Sequence, residues 1–113
     1  MSFKIKPVVG FKKDFKKLAK KYKKLADDVE KVVLELRKNP RSGTPLQFHC
    51  YKIRMANSSA STGKRGGFRV IYYFIDENND LYLMNIYSKT QKESISDNEL
   101  LELLKLNGLD KSI

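Results

Sequence analysis

Residues 63–73 combine the residue types that bind phosphate with the composition of a central β-strand. Lys64, Arg65 and Arg69 fall within six residues and are spaced by glycines. Glycine lets the backbone turn sharply and lets another molecule approach closely, while lysine and arginine bind phosphate oxygens. The sequence therefore predicts a phosphate-facing loop, with Lys64 and Arg65 as binding residues, that leads into a rigid strand carrying Arg69.

Two further cations alternate along the preceding strand, which we predict over residues 48–56. Side chains alternate along a strand, so Lys52 and Arg54 point to one face and the apolar side chains between them to the other. This pattern predicts a basic strand face close to Arg69.

The chain as a whole is also basic. Its 113 residues include 23 Lys and Arg against 13 Asp and Glu, a net charge of +10, and 41% of the residues are apolar. This length and apolar content predict one folded domain over residues 1–113. The charge favours polyanions, mainly nucleic acid, with an anionic membrane surface as the lesser possibility. Residues 1–24 hold ten lysines and one aspartate, so the most basic region is N-terminal.

The predicted cations suit the cleavage of RNA, which carries its own nucleophile in the 2′-OH. A protein has to align this hydroxyl with the adjacent phosphate, remove its proton, and stabilise charge on the phosphate and the departing 5′-oxygen. Arginine stays protonated and clamps phosphate oxygens, which suits Arg54 and Arg69, whereas Lys52 is the titratable candidate. Lys52, Arg54 and Arg69 therefore form the core of the predicted catalytic set.

Soft metal ligands are scarce. Cys50 is the single cysteine and His49 the single histidine, so neither an intramolecular disulfide nor a zinc site is expected, and we expect no cofactor. His49 is interpreted as structural rather than catalytic. Residues 1–6 lack an apolar signal core, and no apolar run approaches the roughly 18 residues of a membrane span. The sequence therefore predicts a soluble, cytoplasmic protein without a membrane partner.

The N-terminal half predicts a strand followed by two helices. Residues 3–9 form an edge strand, because Pro7 is tolerated only at an edge or a strand end. A first helix coated with lysine follows, and a second begins near Asp27 and ends before Pro40, so that the two form an antiparallel hairpin. The apolar face predicted for the first helix consists of Phe11, Phe15, Leu18, Tyr22 and Leu25.

The C-terminal half predicts strands followed by a last helix. Residues 41–45 are predicted as a turn before the strand over 48–56. Residues 67–76 and 81–88 then form a β-hairpin whose first strand is apolar on both faces and therefore central. Ser96 or Asp97 caps a final helix that closes at Asn107 and Gly108.

Three stretches resemble a known family. Residues 51–54 (Tyr-Lys-Ile-Arg), 63–73 (Gly-Lys-Arg-Gly-Gly-Phe-Arg-Val-Ile-Tyr-Tyr) and 81–89 (Leu-Tyr-Leu-Met-Asn-Ile-Tyr-Ser-Lys) resemble the RelE/HigB-like toxins of bacterial type II toxin–antitoxin modules, and most closely the HigB branch. The resemblance implies a small α+β fold of the order β-α-α-β-β-β-α, in which an antiparallel or mixed sheet packs against an N-terminal helical hairpin. It also implies a toxin that enters the ribosomal A site, cuts the mRNA there and is silenced by a cognate antitoxin.

Further residues are candidates for RNA contact. The lysine coat of the first helix, represented by Lys16 and Lys20, can meet rRNA phosphates if it is more than a solvated face. Tyr87 lies near a strand end and is the best candidate for stacking on a base. Core packing is the better interpretation of Tyr72, Tyr73 and Tyr82.

The end of the last strand departs from the family pattern. Many RelE-like toxins have a paired Lys-Arg there and a tyrosine in the C-terminal tail, whereas residues 88–92 read Ser-Lys-Thr-Gln-Lys and no tyrosine follows Tyr87. A hairpin turn of two or four residues would also place Arg69 opposite Ser88 and Lys89 on the other face. A β-bulge or a three-residue turn would bring Arg69 and Lys89 to one face. The family tends to have a basic residue just after the last strand, so the resemblance adds Lys89 to the predicted catalytic set.

Three functions remain open at this point. The first is a ribosome-dependent mRNA endonuclease, the second a ParE-like toxin that inhibits DNA gyrase and cleaves nothing, and the third a non-catalytic basic domain that binds RNA or an acidic protein. Lys52, Arg54 and Arg69 favour the first, because a gyrase inhibitor does not need a phosphate-clamping site on its sheet.

Overall fold

A mixed five-stranded sheet lies at the centre of the structure, a computed structural model that describes residues 3–60 and 67–112. The strands are β1 (Lys4–Pro7), β2 (Thr44–Pro45), β3 (Cys50–Met55), β4 (Phe68–Ile75) and β5 (Asp80–Ser88), in the spatial order β1-β5-β4-β3-β2. β1 pairs with β5 in parallel, and the other neighbours are antiparallel. The helices are α1 (Val9–Lys21), α2 (Leu25–Lys38) and α3 (Asp97–Leu106). The α+β class and the N-terminal helical hairpin are as predicted.

The sheet has one strand more than predicted. Thr44 and Pro45, predicted as part of a turn, form the short edge strand β2 and pair with Lys52 and Tyr51. The turn into β3 is made by Phe48 and His49, whose φ angles are 61° and 62°. Left-handed backbone is uncommon for residues other than glycine, so local sequence gives little sign of this turn.

The two N-terminal helices are amphipathic, but their boundary differs from the prediction. α1 ends at Lys21, so Tyr22 follows it as the C-terminal cap and Leu25 begins α2. The sequence-based assignment of these two residues to the first helix was therefore wrong. The chain has to reverse within residues 22–24 for both apolar faces to reach the sheet, and Leu25 is fully buried from α2.

Two hydrophobic cores cover the two faces of the sheet. Residues of the helical hairpin, including Phe11 and Leu36, pack on one face. Leu100 and Leu104 of α3 pack on the other, against a cluster that includes Tyr73. β4 contributes to both cores and is buried over most of its length, which confirms the prediction of a central strand.

The ends of the β4–β5 hairpin and of α3 follow local rules. A 3₁₀ turn over Asp76–Asn78 joins β4 to β5. Ser96 caps α3 in a reciprocal arrangement: its hydroxyl accepts from the Glu99 N–H, and the Glu99 carboxylate accepts from the Ser96 N–H. Gly108 follows the helix with a φ of 68°, a left-handed conformation that favours glycine. Over residues 3–60 and 67–112, no helix is long and apolar enough to cross a membrane.

Candidate functional site

Strand pairing lines up three of the predicted site residues. Arg54 of β3 lies directly opposite Arg69 of β4, and Arg69 lies directly opposite Tyr87 of β5. Directly opposed residues in antiparallel strands point to the same face, here the face on which α3 packs. We call this set the Arg54–Arg69–Tyr87 row.

A β-bulge creates this register. The four-residue connection pairs Ile75 with Asp80, and the register shifts between Ile71 and Tyr72. If the pairing of Ile75 with Asp80 continued without that shift, Arg69 would lie opposite Ile86. The alternative that placed Ser88 opposite Arg69 assumed a turn over residues 77–80. Lys89 extends the ladder, because its N–H donates to the carbonyl oxygen of Gly67 at 3.1 Å. Strand alternation then places Lys89, two residues after Tyr87, on the same face as Arg69, and its side chain is exposed.

The two arginines of the row differ in exposure. Arg54 is exposed, whereas Arg69 is only 5% exposed and donates from Nη1 to the carbonyl oxygen of Phe68 at 3.1 Å. Arg69 therefore lies within the protein, whereas Arg54 meets the solvent. The predicted phosphate-binding role of Arg69 stays a prediction. Local pattern could not show this difference, because both positions are strand cations with apolar neighbours.

Lys52 lies on the same face as Arg54 and is half-buried. Both residues line a cavity of about 420 Å³ at the edge of the sheet, together with Glu35 of α2. Gly43 lies beside Lys52, where an added Cβ would come within 2.9 Å of the Lys52 carbonyl oxygen. Its N–H donates to the Tyr72 hydroxyl at 3.0 Å, so this close approach helps fix the backbone at Lys52.

Tyr87 is not placed to stack on a base, contrary to the expectation from its position near a strand end. It is 4% exposed, and its hydroxyl has no hydrogen-bond partner among residues 3–60 and 67–112. Burial raises the pKa of the Tyr87 phenol, and the positive charge of Arg69 offsets part of that rise. The phenol therefore stays protonated at neutral pH and can act as a hydrogen-bond or proton donor.

Two residues beside Tyr87 were missed as site residues. The Lys92 ammonium lies 5.1 Å from the centre of the Tyr87 ring and 2.6 Å from Glu99 Oε2. This hydrogen bond from Lys92 lowers the pKa of the Glu99 carboxyl to about 2. The spacing of Ser96 and Glu99 signals a helix cap and could have drawn attention to Glu99, whereas no sequence pattern points to Lys92.

The remaining sequence candidates fall into three groups. Lys64 and Arg65 lie outside the described residues. Lys16 and Lys20 are exposed on α1, in agreement with a lysine-coated surface. His49 is exposed in the β2–β3 turn, away from the row, and the neighbouring Cys50 is buried. Burial raises the pKa of the Cys50 thiol to about 12, so this thiol is not a nucleophile at neutral pH.

The described part of the chain offers no obvious metal centre. Within residues 3–60 and 67–112, His, Cys, Asp and Glu side chains do not form a group of three or more that could hold a metal ion. The row itself consists of two arginines and a phenol.

Solved structures with this fold are toxins. The structure of a mutant of Escherichia coli toxin RelE in the free state has a TM-score of 0.61 and 20% identity, over 94% of this chain and 98% of that one. The isolated E. coli RelE toxin has a TM-score of 0.57 and 18% identity, over 93% of this chain and 99% of that one. A chain of the toxin–antitoxin complex RelBE2 from Mycobacterium tuberculosis has a TM-score of 0.56 and 21% identity, over 78% of this chain and 92% of that one. At these identities the likeness establishes a RelE-like fold.

A family model extends the assignment from fold to family. Residues 8–92 match the model of the ParE toxin of type II toxin–antitoxin systems. The chain therefore belongs to the RelE/ParE superfamily of type II toxins. Its placement in the HigB branch stays a prediction.

Proposed function

We propose that this toxin is a ribosome-dependent mRNA endonuclease, an mRNA interferase. The proposal rests mainly on the opposed pair Arg54 and Arg69. Like charges directly opposite each other in a sheet destabilise the fold, and such departures from local rules concentrate at functional sites. A phosphate between the two strands would offset this repulsion.

The row and its neighbours provide the groups that 2′-OH attack requires. Arg54 would bind the scissile phosphate from the solvent side, and Arg69 would add positive charge as the phosphate becomes more negative in the transition state. Lys52, half-buried on the same face, is the candidate for removing the 2′-OH proton. The bond to the 5′-oxygen then breaks, leaving a 2′,3′-cyclic phosphate and a 5′-OH. Tyr87 is the candidate proton donor to that oxygen once its hydroxyl, which is buried in the free toxin, is uncovered on binding.

The basic surface would supply the ribosome contacts. Lys16 and Lys20 are exposed one helical turn apart, and the lysines of residues 1–24 surround them in the sequence. Such a surface binds rRNA phosphates with an affinity that falls steeply with salt. Lys64, Arg65 and Lys89 are proposed as further phosphate contacts. The ribosome would hold the mRNA in the A site and so provide the alignment that this small protein does not supply alone.

Two consequences concern the setting of the toxin. A protein that cuts translated mRNA has to be held inactive, so we propose a cognate antitoxin with an acidic segment that covers these cations. Its substrate is on ribosomes, so the proposed site of action is the cytoplasm. No metal or cofactor takes part in the proposed reaction.

Inhibition of DNA gyrase without cleavage is the second candidate function. The matched family model describes a ParE toxin, and this observation favours a gyrase inhibitor. The Arg54–Arg69 pair favours the nuclease, because an inhibitor that binds a protein surface does not require paired arginines on its sheet.

Cleavage of one mRNA with and without programmed ribosomes, at matched salt, tests the proposal. We expect cuts only in the presence of ribosomes, with products that end in a cyclic phosphate. Equal cleavage in both reactions would refute ribosome dependence. Absence of cleavage in both, together with inhibition of gyrase supercoiling, would establish the ParE-like alternative.

A further inference from the structure

The outer edge of β5 loses its partner strand halfway along. β1 ends at Pro7, opposite Leu83, and the Val8 N–H donates to the Leu83 carbonyl oxygen at 3.0 Å. β5 continues to Ser88, and this second half carries Tyr87. Within the described residues, β1 is the only strand on that side of β5.

Two side chains take the place of the missing strand. Gln91 Oε1 accepts a hydrogen bond from the Ser88 N–H at 2.9 Å. Asp14 of α1 accepts from Asn85 Nδ2 at 3.0 Å, which brings its carboxylate close to the backbone N–H of Ile86. The Lys89 N–H donates inward to β4, so the alternate N–H groups of Ile86 and Ser88 face the outer edge.

Asp14 and Gln91 contact β5 on either side of Tyr87 along the strand. Asp14 holds the side chain of Asn85, two residues before Tyr87, and Gln91 holds the backbone of Ser88, the residue after it, while β4 pairs with the inner side through Arg69. Asp14 is the one acid among the ten lysines of residues 1–24. It is partly buried beside the sheet, and burial raises the pKa of its carboxyl. A lysine-coated helix thus turns its single carboxylate toward the strand edge.

We propose that Asp14 and Gln91 are positioning residues that fix the second half of β5, and with it Tyr87, against Arg69. This inference rests on the proposed function for its effect on catalysis. Neither residue touches the substrate. They act by keeping β5 in its bulged register, because an unpaired strand end frays and its side chains then sample several positions.

The test separates hydrogen bonding from charge. Asp14→Leu removes the acceptor, whereas Asp14→Asn loses the charge and exchanges one oxygen for an NH2 donor but keeps one acceptor oxygen. Asp27→Asn, at an exposed acid in the first turn of α2, is the control with the same change in net charge. Gln91→Leu removes the second acceptor. Asp14→Ala covers the case in which the leucine variant does not fold, because alanine is the better helix former.

Backbone amide exchange measured by NMR gives a readout that does not depend on activity. We expect Asp14→Leu to speed exchange of the Ile86 N–H at least about tenfold, and Gln91→Leu to do the same for the Ser88 N–H, while Asp14→Asn and Asp27→Asn leave both slow. Unchanged exchange in the leucine variants, or equal exchange in Asp14→Leu and Asp14→Asn, would overturn the anchoring role.

Cleavage on programmed ribosomes gives the second readout. We expect Asp14→Leu to lower kcat about tenfold with KM unchanged, because a small displacement of catalytic groups costs rate more than binding. Asp14→Asn should restore most of the loss. Equal kcat in Asp14→Leu and wild type would overturn the role in catalysis. No cleavage by the wild type, with the exchange pattern as expected, would overturn the proposed function and leave the anchoring of β5 supported.

Discussion

Arg54 and Arg69 show how one pair of residues links stability to function. The pair is opposed across two strands, with Arg54 exposed and Arg69 buried. Like charges directly opposite each other in a sheet are unfavourable in general, and in the proposed function a bound phosphate would make the same arrangement a binding site. Loss of one charge should therefore affect stability and activity in opposite directions.

Arg54→Gln is expected to leave thermal stability unchanged or to raise it, by up to about 1 kcal/mol, because it relieves the repulsion. Cleavage on ribosomes should fall about 100-fold to 1,000-fold, because a donor to the transition state is lost. Arg69→Ala should cause a similar loss of rate. Lys31→Gln, at an exposed lysine of α2, is the matched control and should retain activity. Near-normal cleavage by folded Arg54→Gln and Arg69→Ala variants would remove the pair from the site.

His49 concentrates backbone strain in the β2–β3 turn. It is exposed and, like Phe48, adopts a positive φ. Left-handed backbone costs a residue with a Cβ roughly 1–2 kcal/mol, and glycine avoids this cost at some loss of chain entropy. We therefore expect His49→Gly to stabilise the protein by about 0.5–1 kcal/mol, measured as a rise in Tm. His49→Ala is the control and should give no such rise.

At the scale of elements, α3 is fastened beside the row by one carboxylate. Glu99 accepts from the Ser96 N–H through Oε1 and from Lys92 through Oε2. Lys92 in turn lies against the Tyr87 ring. The first turn of α3 and the end of β5 are thereby joined, although they are separate in the sequence.

The Lys92–Glu99 ion pair leads to a prediction about the pH dependence of stability. The pKa of the Glu99 carboxyl is lowered to about 2, mainly by Lys92, so its stabilising effect is fully present above the ordinary value of 4.5 and is lost as the pH falls through about 2. The difference in Tm between wild type and Glu99→Gln should therefore shrink over that range. The corresponding difference in the free energy of unfolding should stay below about 1 kcal/mol, because 46% of the Glu99 side chain is exposed.

Glu102→Gln is the control for the pH experiment, since Glu102 is an exposed acid on the same helix. Its difference in Tm from the wild type should not follow the course seen with Glu99→Gln. A constant difference for Glu99→Gln from pH 7 to pH 2 would show that the Lys92–Glu99 pair does not stabilise α3.

At the scale of the whole molecule, the charge of +10 determines which partners the toxin attracts. The lysines of α1 lie outside the Arg54–Arg69–Tyr87 row. In the proposed function, this basic surface would bind rRNA and the row would bind the mRNA. An antitoxin segment with several carboxylates would meet the same cations and fold as it binds.

Expression of the toxin alone in growing bacteria is expected to arrest growth and protein synthesis, because the antitoxin is then absent. Growth rate and incorporation of labelled amino acids provide the measurement. Arg54→Gln, expressed at the same level, should be tolerated. High levels of folded wild-type protein with no effect on growth would contradict a toxic function.

Much of the fold could be predicted from the sequence because it depends on local periodicity. The alternation in β3 separated Lys52 and Arg54 from the apolar side chains, and continuous apolar character marked β4 as central. The cap at Ser96 and the helix end at Gly108 also follow from nearby residues. The family followed from residues in three stretches, and the match over residues 8–92 confirms the superfamily.

The arrangement of the candidate site depended on contacts between distant residues. Register across β4 and β5 is set by a bulge, which no local pattern marks, and this bulge decides that Arg69 faces Tyr87 instead of Ile86. Burial of Arg69 and Tyr87, and the approach of Asp14 to the edge of β5, arise only when helices and strands pack together. The sequence by itself determined which residue types were present and which strand faces they share. Only the tertiary structure decided which of them meet, because strand register and burial result from non-local packing.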